Sequence, residues 1–407
     1  MERTQVAVVG LGAMGMATLY QLARRGVDVI GIDRFEPPHD VGSSHGETRI
    51  TRQAVGEGRD YVPFVLASHA IWRELEVLSG EPLLEACGVL VLAPGSGISS
   101  HHGKRDFVAR SIETAREFGI PHEVLDGVTA RQRFPQFKGI SDDDKVYFEP
   151  GGGYVRPERC IAVQRDQACA LGARLRLRAQ VTSIRQDGDV VRIGIGGDEI
   201  VADRVVVAAG AWTAPLLGAP FDRVLTVRRQ VLHWFKLADV TAHAGAPVFI
   251  WMHGAGDEDY FYGFPPLAND DRLKVATEQY VAATTAETLE REVSASESEA
   301  MWRSHVAGRI TGVTPEPVQA AACLYTVTPD SGFVIDHHPQ MRRVMVISAC
   351  SGHGFKHSAG IGQAVAEAVT GAPSSFDLSP FSLRRFQQAG VRMTLCNVRR
   401  CLLAGCE

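Results

Sequence analysis

Three glycines near the start of the chain, Gly10, Gly12 and Gly15, follow a short apolar run, Gln5 to Val9, and open a segment of helical periodicity from about Ala13 to Arg25. In that context the spacing is chemical. Gly10 makes the tight turn, Gly12 lets a backbone approach a pyrophosphate, and Gly15 lets helix and strand pack closely. The helix start, with Met14 in its first turn, offers free N–H groups and a partial positive charge to phosphates. Asp33 ends the next apolar run, VIGI, at roughly the 20-residue distance at which a carboxylate meets the adenosine ribose. This first unit does not choose between NAD and FAD. Two later strand–glycine segments argue for FAD: VVVAAGAW, with Gly210 and Trp212, and ISACSGHGF, with Gly352, Gly354 and Phe355. A flavin needs protein around a ring system far from its adenine, and these segments can return to the same sheet to supply it.

Other residue types capable of chemistry are less informative alone. The eight cysteines are scattered and form no CxxC pair, which argues against a disulfide framework or a structural zinc site. His337 and His338 are adjacent on an expected strand and so point to opposite faces. No metal site is expected.

The elements that must position these residues alternate in type. Strand–glycine–helix units stand at the start, middle and end, with antiparallel-looking material between them. Helices are expected over about 62–78, 104–118, 157–171 and 286–304. The stretch from 224 to 280 reads as strand-rich. The fold class is therefore α/β: a Rossmann-type FAD-binding domain assembled from discontinuous segments (1–85, 146–218 and 327–387), with an inserted β-rich α+β substrate domain (86–145 and 219–326). Residues 388–407 hold three cysteines and three arginines with little periodicity and read as a tail of unpredicted structure.

At 407 residues the chain exceeds what one core usually holds. A net charge of -5 and the lack of a long basic run argue against a nucleic-acid partner. No apolar stretch is long enough to cross a bilayer. The expected location is the cytoplasm, with no membrane partner.

Several segments together carry a resemblance. GSSHGETRITRQAVGEGRDYVP (42–63), FYGFP (261–265), ACLYT (322–326), FVIDHHP (333–339), SGHGFK (351–356) and SSFDLSPFSLRRFQ (374–387) are similar, in order and approximate spacing, to stretches of the monomeric sarcosine oxidase and N-methyltryptophan oxidase family. The likeness runs over roughly residues 5 to 387. It implies a monomer with covalently bound FAD that oxidises a small secondary amino acid to an imine and passes the electrons to O2, making hydrogen peroxide.

The resemblance also implies roles. Cys323 matches the cysteine that forms a thioether to the flavin. Lys274 matches a lysine associated with oxygen activation. Arg52 and Lys356 match residues that hold the substrate carboxylate, Arg with a planar fork and Lys with a point charge. Ser43, His45 and Arg49 fall beside the flavin, where Lys356 also approaches, and Tyr262 and Tyr325 match active-site tyrosines. The pattern is broken at two positions. Glu278 stands where the sarcosine oxidases carry a histidine, and Ser44 replaces another. A glutamate there repels a carboxylate unless it is protonated or turned away, or it binds a cationic group on a larger substrate. Cyclic secondary amino acids such as pipecolate or proline therefore stay open as alternatives to N-methyl amino acids. A flavin-binding module without turnover is disfavoured because Lys274, Cys323 and Lys356 are all present.

Overall fold

A computed structural model describes residues 2–95, 100–102, 104–254, 256 and 258–388. The tail expected over 388–407 lies outside them apart from its first residue.

The chain's most apolar strands are central because they are buried on both faces, which is where continuous Val/Ile runs belong. Strand Glu2–Val9 pairs in parallel with Val29–Ile32 on one side and Asp198–Val207 on the other. Arg174–Arg176 extends one edge and Met341–Ser348 the other, both in parallel. A meander of Val181–Asp187 and Val190–Ile195, and the antiparallel strand Val334–His338, complete an eight-stranded sheet among the described residues. Helices Ala13–Arg24, Val62–Ser79, Pro157–Ala170 and Ser358–Thr370 supply apolar side chains to one core on this sheet. The expected Rossmann-type sheet from separated segments is what forms.

The second sheet has nine strands among the described residues, and its core is aromatic. Near one edge, strand Thr226–Leu237 pairs antiparallel with Arg272–Ala276 and with the long strand Val313–Val327. Tyr260–Phe264, Val248–Met252 and Val89–Ala93 continue it. A small third sheet, Arg49–Thr51 with Gly153–Val155 and Leu84–Glu85, joins the two.

Two expectations need correction. The boundary at 146 falls inside strand Lys145–Glu149, which pairs with Val89–Ala93 and Glu123–Asp126 in the second sheet. The helix expected over 286–304 is shorter, Ala295–Met301, followed by a wide turn at Trp302–Val306. It starts where Ser294 and Glu297 form a reciprocal capping box. That signal fixes a helix start more tightly than charge density does. No described helix is long and apolar enough to cross a membrane.

Candidate active site

A cleft of about 460 Å³ runs over the ends of the parallel strands, where open α/β sheets bind their ligands. At one end it meets Asp33, which closes strand Val29–Ile32. The Asp33 carboxylate accepts from Leu11 N at 2.6 Å and Phe35 N at 2.7 Å. This locks the glycine turn to the second strand. Gly10 has φ +87°, and a Cβ there would lie 2.6 Å from Ala208 O. A Cβ on Gly15 would lie 1.7 Å from Gly10 O, so helix and strand touch through this glycine. Gly12 differs: a Cβ there meets nothing nearer than Ser44 Oγ at 3.7 Å. Protein crowding does not demand glycine at position 12, whereas a pyrophosphate against the backbone does. Gly12 itself supplies no side-chain cap and the first turn holds no acidic residue; Ser44 Oγ accepts from Ala13 N at 3.3 Å, and the rest of the helix's positive end is left for an anion.

The far end of the cleft is lined by Arg49, Tyr325, Thr326, Ser348, Cys350 and Gly352. The hydroxyls of Thr326 and Ser348 are buried without a hydrogen-bond partner among the described residues, as is His45 Nε2. Buried polar atoms are rarely left unpaired. Polar orphans here, a Gly12 cradle there and an acid at the ribose position form a set that fits an extended dinucleotide with a polar ring system.

Around this end, Arg49 leaves the joining sheet and donates to Ser43 O at 3.0 Å. Cys323, on strand Val313–Val327, is buried with its Sγ 3.8 Å from Arg49 Nη2 and 3.8 Å from Ser43 O. Burial pushes the Cys323 thiol up, and Arg49 and Lys274 pull it only part of the way back. Burial, reinforced by Arg49, holds His45 down at about 4, so it is neutral at pH 7. Burial likewise drives Tyr262 and Tyr325 up, keeping both protonated, and their hydroxyls lie 3.4 Å apart.

Lys274, on strand Arg272–Ala276, donates to Gly46 O at 2.5 Å, Thr48 O at 2.8 Å and Thr48 Oγ1 at 3.1 Å. Its ammonium lies 4.5 Å from the centre of the Phe264 ring. Burial and the Arg49 charge push it well below the ordinary lysine value. Lys274 thus grips the loop that carries His45 and Arg49.

Arg52 and Lys356 are brought together, with a carboxylate already between them. Glu57, five residues beyond Arg52, accepts from Arg52 Nη2 at 2.9 Å and from Lys356 Nζ at 3.2 Å. All three are buried. Burial alone would raise Glu57, but Arg52 and Lys356 outweigh it and hold the carboxyl well below its usual range. The cations are not saturated. Arg52 Nε is buried with no partner among the described residues, and Lys356 spends its remaining visible contact on His353 O. Burial lowers Lys356 to about 8, against the raising effect of Glu57. Two residues not anticipated from the sequence complete the cluster. His102 lies 3.1 Å from Glu278 and 3.4 Å from Glu57, and Tyr280 donates to Glu278 at 2.9 Å.

All of the expected cofactor residues line the cleft except Gly15, His45, Cys323 and Lys356. Gly15 packs beneath the turn, His45 and Cys323 stand behind the wall, and Lys356 turns to Glu57. Glu57 was missed although it sits in the same segment as Arg52, because a loop has no periodicity to flag it. Glu149 was missed as well: it accepts from Gln53 N at 2.6 Å and Ala54 N at 3.0 Å, anchoring the backbone just beyond Arg52.

Comparison with known proteins agrees with this geometry. The family model for FAD dependent oxidoreductases matches residues 5–368. The chain is 36% identical over 384 residues to a monomeric sarcosine oxidase of Bacillus sp. (strain NS-129), covering 93% of this chain and 96% of that protein. It is 33% identical over 386 residues to an N-methyl-L-tryptophan oxidase of Yersinia pestis (strain Pestoides F), covering 93% and 98%. Among solved structures, NikD, described as an unusual amino acid oxidase essential for nikkomycin biosynthesis, superposes with a TM-score of 0.79 at 22% identity, covering 94% and 98%. The dinucleotide cleft therefore has a family to match, and the chain belongs to the FAD-dependent oxidoreductases, among the monomeric sarcosine oxidases and N-methyltryptophan oxidases.

Proposed function

We propose that the protein is an FAD-dependent oxidase of a small secondary amino acid, of the N-methyl type, acting as a monomer in the cytoplasm. The observation that carries this reading is the buried Arg52–Lys356 pair joined through Glu57, in which Arg52 Nε has no partner among the described residues. Bound FAD would supply an acceptor for the hydride equivalent lost from the carbon next to nitrogen, and a route for that electron pair to O2, which would leave as hydrogen peroxide.

The chain's own residues do the rest by placement and charge. Arg52 and Lys356 hold the substrate carboxylate, two positive charges against the single negative charge of Glu57. Tyr262 and Tyr325, kept protonated by burial, can donate to substrate but cannot take its proton. Charged Arg49 lines the cleft, with neutral His45 behind its wall, and positive charge there would favour electron transfer into a bound flavin. Released imine meets water and hydrolyses, which for an N-methyl amino acid gives formaldehyde and the primary amino acid.

A panel of sarcosine, N-methyltryptophan, pipecolate and proline, followed by peroxide and formaldehyde release, tests the substrate class. Peroxide with formaldehyde from an N-methyl amino acid is expected. Turnover of only the cyclic amines would replace this reading with their oxidation.

Cys323 is proposed to carry the flavin as a thioether, supported by its place behind Arg49 and Ser43. Its thiol is held up by burial; forming the thioether would remove the S–H and a methyl C–H as two protons and two electrons, the electrons passing through the flavin to O2. Acid precipitation of wild-type protein is expected to keep the yellow colour in the pellet, and Cys323→Ser to release it. Colour washing freely from wild type rules the thioether out.

A further inference from the structure

The substrate side of the site holds one more negative charge than a carboxylate receptor needs. Arg52 and Lys356 against Glu57 leave one net positive charge, the complement of one substrate carboxylate. Glu278 cancels it, and its side chain is 5% exposed, too little for water to screen it. His102, delivered by a different segment of the chain, stands between the two acids. Its Nε2 lies 3.1 Å from Glu278 and its Nδ1 3.4 Å from Glu57. Neither ring nitrogen is aligned for a hydrogen bond to them among the described residues, so these are charge contacts, and a neutral imidazole would leave the two acids unbalanced. An imidazolium is attracted by both. Gly352 separates this group from the cleft it lines: at φ +85°, an added Cβ would lie 3.0 Å from both Glu278 Oε1 and His102 Nε2.

We propose that His102 is a specificity-determining residue: as an imidazolium it neutralises Glu278, reserves the Arg52–Lys356 charge for a monocarboxylate substrate, and makes substrate binding proton-linked. This rests on the reading of Arg52 and Lys356 as the carboxylate site. The departure from the family at Glu278 then needs no second cation on the substrate, because the chain supplies the compensating charge itself. Burial pushes His102 down, but Glu278 and Glu57 more than offset it and the imidazole is held above its ordinary value. Carboxylate binding is therefore strongest below the His102 value and weakens as pH rises through it. The other groups packed on His102 do not mimic this step. Burial keeps His101 and His353 well below the ordinary histidine value, and Tyr260 and Tyr280 well above the ordinary tyrosine value. Lys356, at about 8, adds a second and separate loss of binding on the alkaline side.

The test is acetate binding to the holoenzyme between about pH 6 and pH 10, read from the perturbation of flavin absorbance and independently from thermal stabilisation. Wild type should show both pH steps. His102→Asn should weaken acetate binding roughly tenfold to fiftyfold at neutral pH, the effect of one uncompensated charge in a poorly screened site, and leave only the Lys356 step. Adding Glu278→Gln to His102→Asn should return the dissociation constant to within about threefold of wild type, which a merely structural role for His102 would not do. Glu278→Gln alone should move the His102 step to lower pH, and this holds the proposal to account even if His102→Asn fails to fold. An unmoved step in Glu278→Gln, or no recovery in the double variant, overturns the proposal. Wild type that binds no acetate at any pH removes the carboxylate site itself, and the proposal with it.

Discussion

Lys274→Met is expected to slow the reaction with oxygen roughly a hundredfold to a thousandfold, the usual cost of losing a preorganised charge-stabilising group, while substrate-driven reduction changes only a few fold. Lys274 is 4% exposed, its neighbours include Phe264 and Trp234, and burial with Arg49 pushes it well below the ordinary lysine value. A cation in such a place costs free energy until something negative arrives, and then it stabilises that charge more than any solvated lysine could. Oxygen gaining electrons is such a species. The competing role is structural, since the same ammonium holds Gly46 O, Thr48 O and Thr48 Oγ1 and so fixes the loop bearing His45 and Arg49. Rapid mixing separates the two. Loosening the loop would slow both half-reactions alike, and equal losses would refute the oxygen role. The charged form acts only below the folded pKa of Lys274, so the oxygen step should slow as pH rises through that value.

Arg52→Met should cost both stability and substrate. Its guanidinium is the bidentate partner of Glu57, and both side chains are 2% exposed. Removing one member of a buried pair typically costs about 3–5 kcal/mol because the other charge stays behind. Lys356 and His102 compensate Glu57 in part, which points to the lower end. Arg52→Met/Glu57→Gln should recover much of that stability but not the substrate KM, since the fork for the carboxylate is still gone. Equilibrium unfolding and steady-state kinetics on the pair of variants check both halves; recovery of KM in the double variant would show that Arg52 acts only on Glu57. The sign of the pH dependence follows from Glu57. Its folded carboxyl lies below the unfolded value of about 4.3. The stabilisation it provides is complete above that value and is lost as pH falls through the folded one. At neutral pH the Arg52 variant should therefore show its full deficit.

How much of this was legible in the sequence depends on how local each signal is. Gly10, Gly15 and Asp33 sit within one strand–turn–helix–strand unit, so spacing alone carries their geometry, and the structure gives each a distinct steric or hydrogen-bonding reason. Arg52 and Lys356 were legible as cations of one site, but the carboxylate joining them was not. Glu57 lies in an irregular loop, and nothing in its neighbourhood distinguishes a buried glutamate from a solvated one. His102 and Glu278 are far apart in the chain, on a loop and after a strand, and only folding makes them neighbours. Glu278 alone therefore read as a charge conflict, when its partner came from elsewhere. The overlong helix at 286–304 is the opposite case: a local signal, Ser294 with Glu297, was present and outweighed by charge density.

In the proposed reaction the cationic cluster presents a carboxylated secondary amine to FAD in this cleft. Anaerobic titration of the purified yellow protein with sarcosine and with N-methyltryptophan tests it most directly. Loss of the oxidised flavin absorbance with at least one of them, restored on admitting air, is the expected result. A folded preparation that stays colourless when given FAD, or a yellow one that no secondary amino acid bleaches, would contradict it.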